Sequence, residues 1–358
     1  MTLENFNKDN LTHLLMSQGA ELEALYQQAQ QVKLQAVGNK VYYRGLIEYS
    51  NRCAKNCYYC GVRRSNKNVP RYTLTDDEVL EAALLAHRKG FGSLVLQSGE
   101  RSDKIFVEKI AFLLSQIREA TQGELHVTLS LGEQTTETLN LWRQNGAHRY
   151  LLRIETSNRE LYKKMHNNDS LHSFDKRLDA LKRLQDCGYQ TGTGVMIGLP
   201  FQTISHLAED LLFIKNQSID MVGMGPYIEH EETPLYKYRH LLLPADERFE
   251  LSMKMVALLR IMMPDINIAA TTAMQTLHPK GRERALMIGA NVIMPNITPL
   301  KYREGYQLYA NKPNLHEETE SHLADLKVSI ESAGCEVAQG EWGDPQHYYN
   351  RRQNVGEE

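Results

Sequence analysis

Eight short apolar runs, each followed by a segment of helical periodicity, set the tightest limit on what this chain can become. The runs lie at residues 41–49, 93–97, 125–131, 150–154, 190–197, 220–224, 266–272 and 291–294. Apolar residues recur at helical spacing at 73–89, 103–121, 135–144, 173–187, 205–216, 245–263 and 282–288. The boundaries carry their own chemistry. Thr75 is placed to cap the first of these helices, with Glu78 at the capping-box position. Gly90 and Gly188 stand where helices stop. Strand–helix alternation is the pattern of parallel β/α units, because a parallel neighbour requires a crossover. Eight such units predict an α/β fold, a full (β/α)8 TIM-type barrel. Residues 11–36 read as two helices broken near Gly19, and 317–333 as a last helix. One domain is therefore expected over 1–358: an N-terminal helical cap (1–40), the barrel (41–310), and a C-terminal helix with a polar tail (311–358).

Directly after the first run come Cys53, Cys57 and Cys60, spaced C-x3-C-x2-C. Thiolates are soft ligands, and a short loop can present three of them to one metal centre. A structural zinc site needs four ligands, so zinc would have to recruit a distant His or Cys. A disulfide with a spare thiol and a chance spacing also stay open; the disulfide is disfavoured in a chain without a secretory signal. An iron–sulfur cube held by three cysteines would leave one iron open. The spacing, with Tyr59 before the last cysteine, resembles that of the radical S-adenosylmethionine (SAM) superfamily. That resemblance implies a [4Fe-4S] cluster whose open iron chelates the amino and carboxylate groups of SAM.

Composition removes several other classes. A net charge of −3 argues against a nucleic-acid scaffold. No apolar run approaches a membrane span, and the polar start is no signal peptide. Free cysteines without an export signal point to the cytoplasm. Cys187 and Cys335 have no neighbour in sequence and read as small buried residues.

Polar residues gather at the predicted strand ends, the mouth where barrel chemistry sits. Gln97 ends the second run, Ser130 the third, Arg153 and Glu155 the fourth, and Thr271 and Thr272 the seventh; Arg177 opens the helix after the fourth. Any one of them could be a cap or a solvated loop residue, but convergence from several strands favours a site. For SAM, Gln97, Ser130, Glu155 and Arg177 form the expected holder: a carboxylate accepts from a diol or amine, and a guanidinium forks onto a carboxylate. Gly99 would permit close backbone approach.

Longer stretches carry a narrower likeness. Residues 43–53 (YRGLIEYSNRC), 95–100 (VLQSGE), 128–133 (TLSLGE), 149–156 (RYLLRIET), 220–226 (DMVGMGP), 270–274 (ATTAM) and 290–296 (ANVIMPN) resemble the HydE family, radical SAM maturases of [FeFe]-hydrogenase. The resemblance runs from about residue 41 to 309. It implies reductive cleavage of SAM to a 5′-deoxyadenosyl radical and a small organometallic or cysteine-derived substrate. It also implies an external electron donor and the other hydrogenase maturases as partners. It places a substrate pocket deeper in the barrel, lined by Arg153, Met221, Thr271, Thr272, Met294 and Tyr309, with Arg153 and the two threonines on a carboxylate. Packing would explain Met221 and Met294 equally well. Some family members carry a second cluster after the last strand; this chain has no cysteine there, so one cluster is expected. A methylornithine synthase-like mutase and a non-catalytic metal-binding protein are the competing functions.

Overall fold

The computed structural model describes residues 6–313 and 315–355. Eight parallel strands form the main path of one curled sheet: β1 (Lys40–Ser50), β2 (Ser93–Ser98), β3 (His126–Ser130), β4 (Ala147–Leu151), β5 (Gln190–Thr193), β6 (Met221–Val222), β7 (Asn267–Ile268) and β8 (Val292–Ile293); a ninth short strand, Glu336–Val337, pairs parallel with the start of β1 off that path. Their spatial order is β8-β1-β2-β3-β4-β5-β6-β7. The first five are regular; the last three shrink to two residues each. Between the end strands the structure has a single parallel bridge, Ala269 to Val292, in place of a ladder. The expected full barrel is thus a curled parallel sheet whose ends touch at one point.

Local chemistry explains the helices. Thr75 and Glu78 form the reciprocal capping box at the start of Asp76–Arg88. Asp103 caps Lys104–Ala120, and Ser173 caps Phe174–Asp186. Helix Ala245–Met262 is buried on nearly all sides, because the N-terminal helices Lys8–Met16 and Gly19–Ala36 pack over its outer face. Lys254 on that helix donates to the carbonyls of Leu15 and Ser17, at 3.0 and 2.8 Å, closing the end of the first helix. Among the described residues, no helix is long and apolar enough to cross a membrane.

Two expectations shift. The fourth strand lies at Ala147–Leu151 rather than 150–154, because the polar His148 and Arg149 are covered from below. What covers them is the segment expected to be a polar tail. Trp342 stacks on His126 at 3.6 Å, and His126 stacks on His148 at the same distance. Arg149, fully buried, donates to the Trp342 carbonyl at 2.7 Å and pairs with Asp344. Residues Gln346–Val355 then form a helix whose Arg351 pairs with buried Asp220 at 2.7 Å. Residues 356–358 of the expected tail lie outside the described residues.

This plug makes stability depend on one carboxylate. Burial alone would raise the pKa of Asp344, but Arg149 and neighbouring donors override it and hold it at about 2. A depressed native pKa gives stability that is complete above the ordinary carboxylate value and is lost as pH falls toward about 2. Asp344→Ala leaves Arg149 buried and unpaired, and should lower unfolding free energy at neutral pH by about 3–5 kcal/mol. It should also flatten the acid limb of the stability curve. Denaturant titrations of parent and variant across that range test this; equal stability at neutral pH would contradict it.

Candidate active site

The strands end level where it matters. Glu48 on β1 registers with Gln97 on β2, and Gln97 with Ser130 on β3. The cysteine loop leaves β1 immediately beyond, and its backbone is fixed from several sides. Arg71 donates to the carbonyls of Asn51, Val62, Arg63 and Asn66 at 2.6–2.9 Å. Buried Asn51 bonds Pro70 and Gly305 through its amide nitrogen and receives the Tyr72 N–H. Tyr58 N–H reaches the Met165 carbonyl, and Asn56 N–H reaches His172. Gly99 lets β2 press against the loop: a Cβ there would lie 2.5 Å from the Arg52 carbonyl and 2.7 Å from Cys53 Cβ.

Cys53, Cys57 and Cys60 are all free thiols and partly exposed. Burial pushes the Cys57 thiol up to about 12, with Cys53 adding to it, and raises the Cys60 and Cys53 thiols too. Bare, these groups stay protonated; a positively charged metal centre would draw the protons off, because thiolate is the binding form. Lys55 N–H already points at Cys53 Sγ, 3.3 Å away. Among the described residues, no group of three His, Cys, Asp or Glu side chains closes on one metal-ion position. Three thiols on one loop are soft donors, the kind that an iron–sulfur centre takes as thiolates.

Beside the loop lies a buried ionic quartet. Lys55 Nζ sits 3.1 Å from Glu100 and 3.0 Å from Glu133. Arg177 sits 3.4 Å from Glu100 and 2.8 Å from Glu133. Burial would lower the Arg177 pKa, but the two glutamates hold it well above its ordinary value. Sequence reasoning placed Arg177 in the SAM holder and Glu100 at the end of the second strand without a role, and gave none to Lys55 or Glu133. The signal was present: a Gly-Glu pair follows both β2 and β3, and Lys55 stands inside the cysteine spacing.

The other expected residues divide. Glu155 is buried and takes a left-handed backbone (φ 66°) just beyond β4. Arg153 shares its Nε–H between both carboxylate oxygens, 3.0 Å from each, and donates through its terminal nitrogens to the Gly223 and Val195 carbonyls at 2.7 and 3.0 Å. Its guanidinium is thus engaged by protein, and its anionic partner is Glu155. Met221 and Met294 line one internal cavity together with Arg44 and Asn267. Thr271 and Thr272 do not end a strand. Thr271 bonds the Met224 carbonyl at 3.3 Å before a short helix, Thr272–Leu277. Thr272 accepts from Arg282 at 2.9 Å. Tyr309, whose phenol burial pushes up to about 12, lies within the electrostatic reach of Arg282 and Arg153. It belongs to a stretch that crosses the mouth: Gly61 N–H bonds the Leu308 carbonyl, and Lys312 pairs with buried Glu48.

Comparison with known proteins narrows this geometry. The model of the radical SAM superfamily matches residues 47–214, which span the cysteine loop and the next four strand ends. The [FeFe] hydrogenase maturase subunit HydE of Thermotoga maritima is 45% identical over 90% of this chain and 88% of its own length. The 3-methylornithine synthase of Methanosarcina acetivorans is 27% identical over 92% of this chain and 90% of its own. Among solved structures, methylornithine synthase superposes with a TM-score of 0.79 at 26% identity, covering 94% of this chain and 96% of that one. The maturase HydG of Carboxydothermus hydrogenoformans, at 21% identity and TM-score 0.74, covering 94% of this chain and 76% of that one, shares the fold. An identity of 45% across nine-tenths of the chain decides between these relatives: the chain belongs to the HydE family of radical SAM maturases of [FeFe]-hydrogenase.

Proposed function

We propose that this enzyme cleaves SAM reductively at the mouth of the curled sheet and uses the radical on a small organometallic or cysteine-derived precursor during assembly of the [FeFe]-hydrogenase H-cluster. The family's cofactors are a [4Fe-4S] cluster and SAM; together, when bound, they supply a 5′-deoxyadenosyl radical. Cys53, Cys57 and Cys60 would hold one cluster. The observation that carries this reading is a rigid loop with three free thiols, set beside level strand ends and a preorganised ionic quartet.

The side chains have separate tasks. Gln97 and Ser130 offer polar ends at half-buried positions, Glu155 a carboxylate for a diol or amine, and Arg177 a guanidinium already balanced by two acids. Arg153 fixes the Glu155 carboxylate, and its expected contact with a substrate carboxylate would need it to share that role. Met221 and Met294 keep the chamber apolar and dry, which protects a reactive radical. Thr271 and Tyr309 complete its wall, while Thr272 acts through Arg282. The sheet works as a closed (β/α)8 barrel, its seam carried by Ala270 N–H to Val292 O and Asn291 N–H to Ile268 O, both 2.9 Å. An external electron donor and the other maturases are the expected partners, and a reducing cytoplasm suits five free cysteines.

Two experiments bear on this. Cys57→Ala should lose both iron and 5′-deoxyadenosine formation after anaerobic reconstitution, and should fail to support hydrogenase maturation in vitro. A variant that keeps its full iron and still matures hydrogenase would sink the assignment. Gly99→Ala should keep the fold yet lower the iron retained, because its methyl displaces the Arg52–Cys53 backbone; parent-like iron content and SAM cleavage would refute that account of the loop.

A further inference from the structure

Behind the end of β4, helix Ile204–Asn216 presents the carboxylate of Asp210, which has no exposure to solvent. Its Oδ1 accepts from the Ser157 backbone N–H and the Ser157 hydroxyl, each at 2.6 Å, and from the Thr156 hydroxyl at 3.5 Å. Its Oδ2 has no hydrogen-bond partner among the described residues. Burial pushes this carboxyl up to about 7, and the charged side chain acting on it is another acid, Glu209. A buried carboxylate with one oxygen unserved costs stability that a leucine at the same helical position would not. Its role has to lie in what Oδ1 holds.

What Oδ1 holds is the segment next to Glu155. A non-glycine residue in the left-handed region is strained and persists only where its surroundings fix it. On one side of Glu155, its N–H bonds the Gly194 carbonyl and its carbonyl accepts from Met196, both at 2.9 Å. On the other side the chain is fixed through Thr156 and Ser157, by Asp210. The turn so fixed presents both Glu155 oxygens to Arg153. The next residue, Asn158, caps helix Arg159–Met165, and the last carbonyl of that helix receives Tyr58 of the cysteine loop.

We propose that Asp210 is a positioning residue for the SAM site: by gripping Thr156 and Ser157 it keeps Glu155 in its left-handed turn with the carboxylate aimed into the site. The inference rests on the reading of Glu155 as a SAM ligand. It makes Asp210 act on SAM through Glu155 and by no other route, which separates positioning from general support of the fold.

A double-mutant cycle on anaerobically reconstituted protein tests it, with SAM affinity measured by equilibrium dialysis. Asp210→Ala should weaken SAM binding about tenfold in the parent, yet less than about twofold in the Glu155→Gln background. Asp210→Asn, which retains an acceptor oxygen toward Ser157, should bind SAM within about twofold of the parent. Ser157→Ala removes the hydroxyl donor from the opposite side, leaving the backbone N–H, and should show the same non-additivity, so the cycle survives if Asp210→Ala does not fold. Losses that add across the cycle, or unchanged affinity in Asp210→Ala, would overturn the inference while leaving Glu155 in the site. Unchanged affinity in Glu155→Gln alone would remove Glu155 from the site and take the inference with it.

Discussion

Lys55, Glu100, Glu133 and Arg177 form one buried ionic group, and the arrangement of the mouth depends on it. Each member comes from a different connection: the loops after β1, β2 and β3, and the helix beyond β4. Four charges withdrawn from water are costly, and the cost is offset only while all four remain paired. Loops that would otherwise move independently are thereby held in one mutual geometry. The backbone then completes the work. Ala54 N–H reaches the Glu100 carbonyl and Gly99 N–H the Ser50 carbonyl, both at 2.8 Å, so the cysteine loop is set before any cofactor arrives.

Chain that lies outside the regular barrel elements crosses both ends of the sheet. Above, the stretch carrying Tyr306, Tyr309 and Lys312 crosses the mouth and ties to Glu48 and Gly61. Below, Trp342 and Asp344 cover β3 and β4, and the Gly343 carbonyl accepts from Arg44 and Asn267. Radical chemistry needs exclusion of water and of stray hydrogen donors. The parallel sheet supplies the walls, and the C-terminal residues supply the floor.

How much of this the sequence disclosed depends on the kind of signal. The strand–helix alternation located the eight strands of the main path, because apolar periodicity reports burial directly, but not the short strand Glu336–Val337 that pairs with β1. The capping box at Thr75 was legible because both partners lie three residues apart. The floor was not: residues 342–355 are polar, and the partners of those polar groups, among them Arg149, Asp220 and Asp265, are distant in sequence. Within the site, the cysteine spacing was explicit, and Glu100 stood at a strand end, while the ion pairing that joins it to Lys55, Glu133 and Arg177 has no local signal. Arg153 was expected to grip a ligand, yet Glu155, two residues on, takes its Nε–H and two backbone carbonyls take its terminal nitrogens. Asp210 had no sequence signal at all, since an acid on an amphipathic helix normally faces water.

The central claim is that three cysteines of one loop hold a cluster with an iron left open to SAM. The most direct measurement is the electron paramagnetic resonance spectrum of the reconstituted, dithionite-reduced protein, recorded with and without SAM. Coordination of SAM to the open iron predicts a reduced-cluster signal whose g values shift on SAM addition. A reduced-cluster signal that stays identical at saturating SAM would contradict the account.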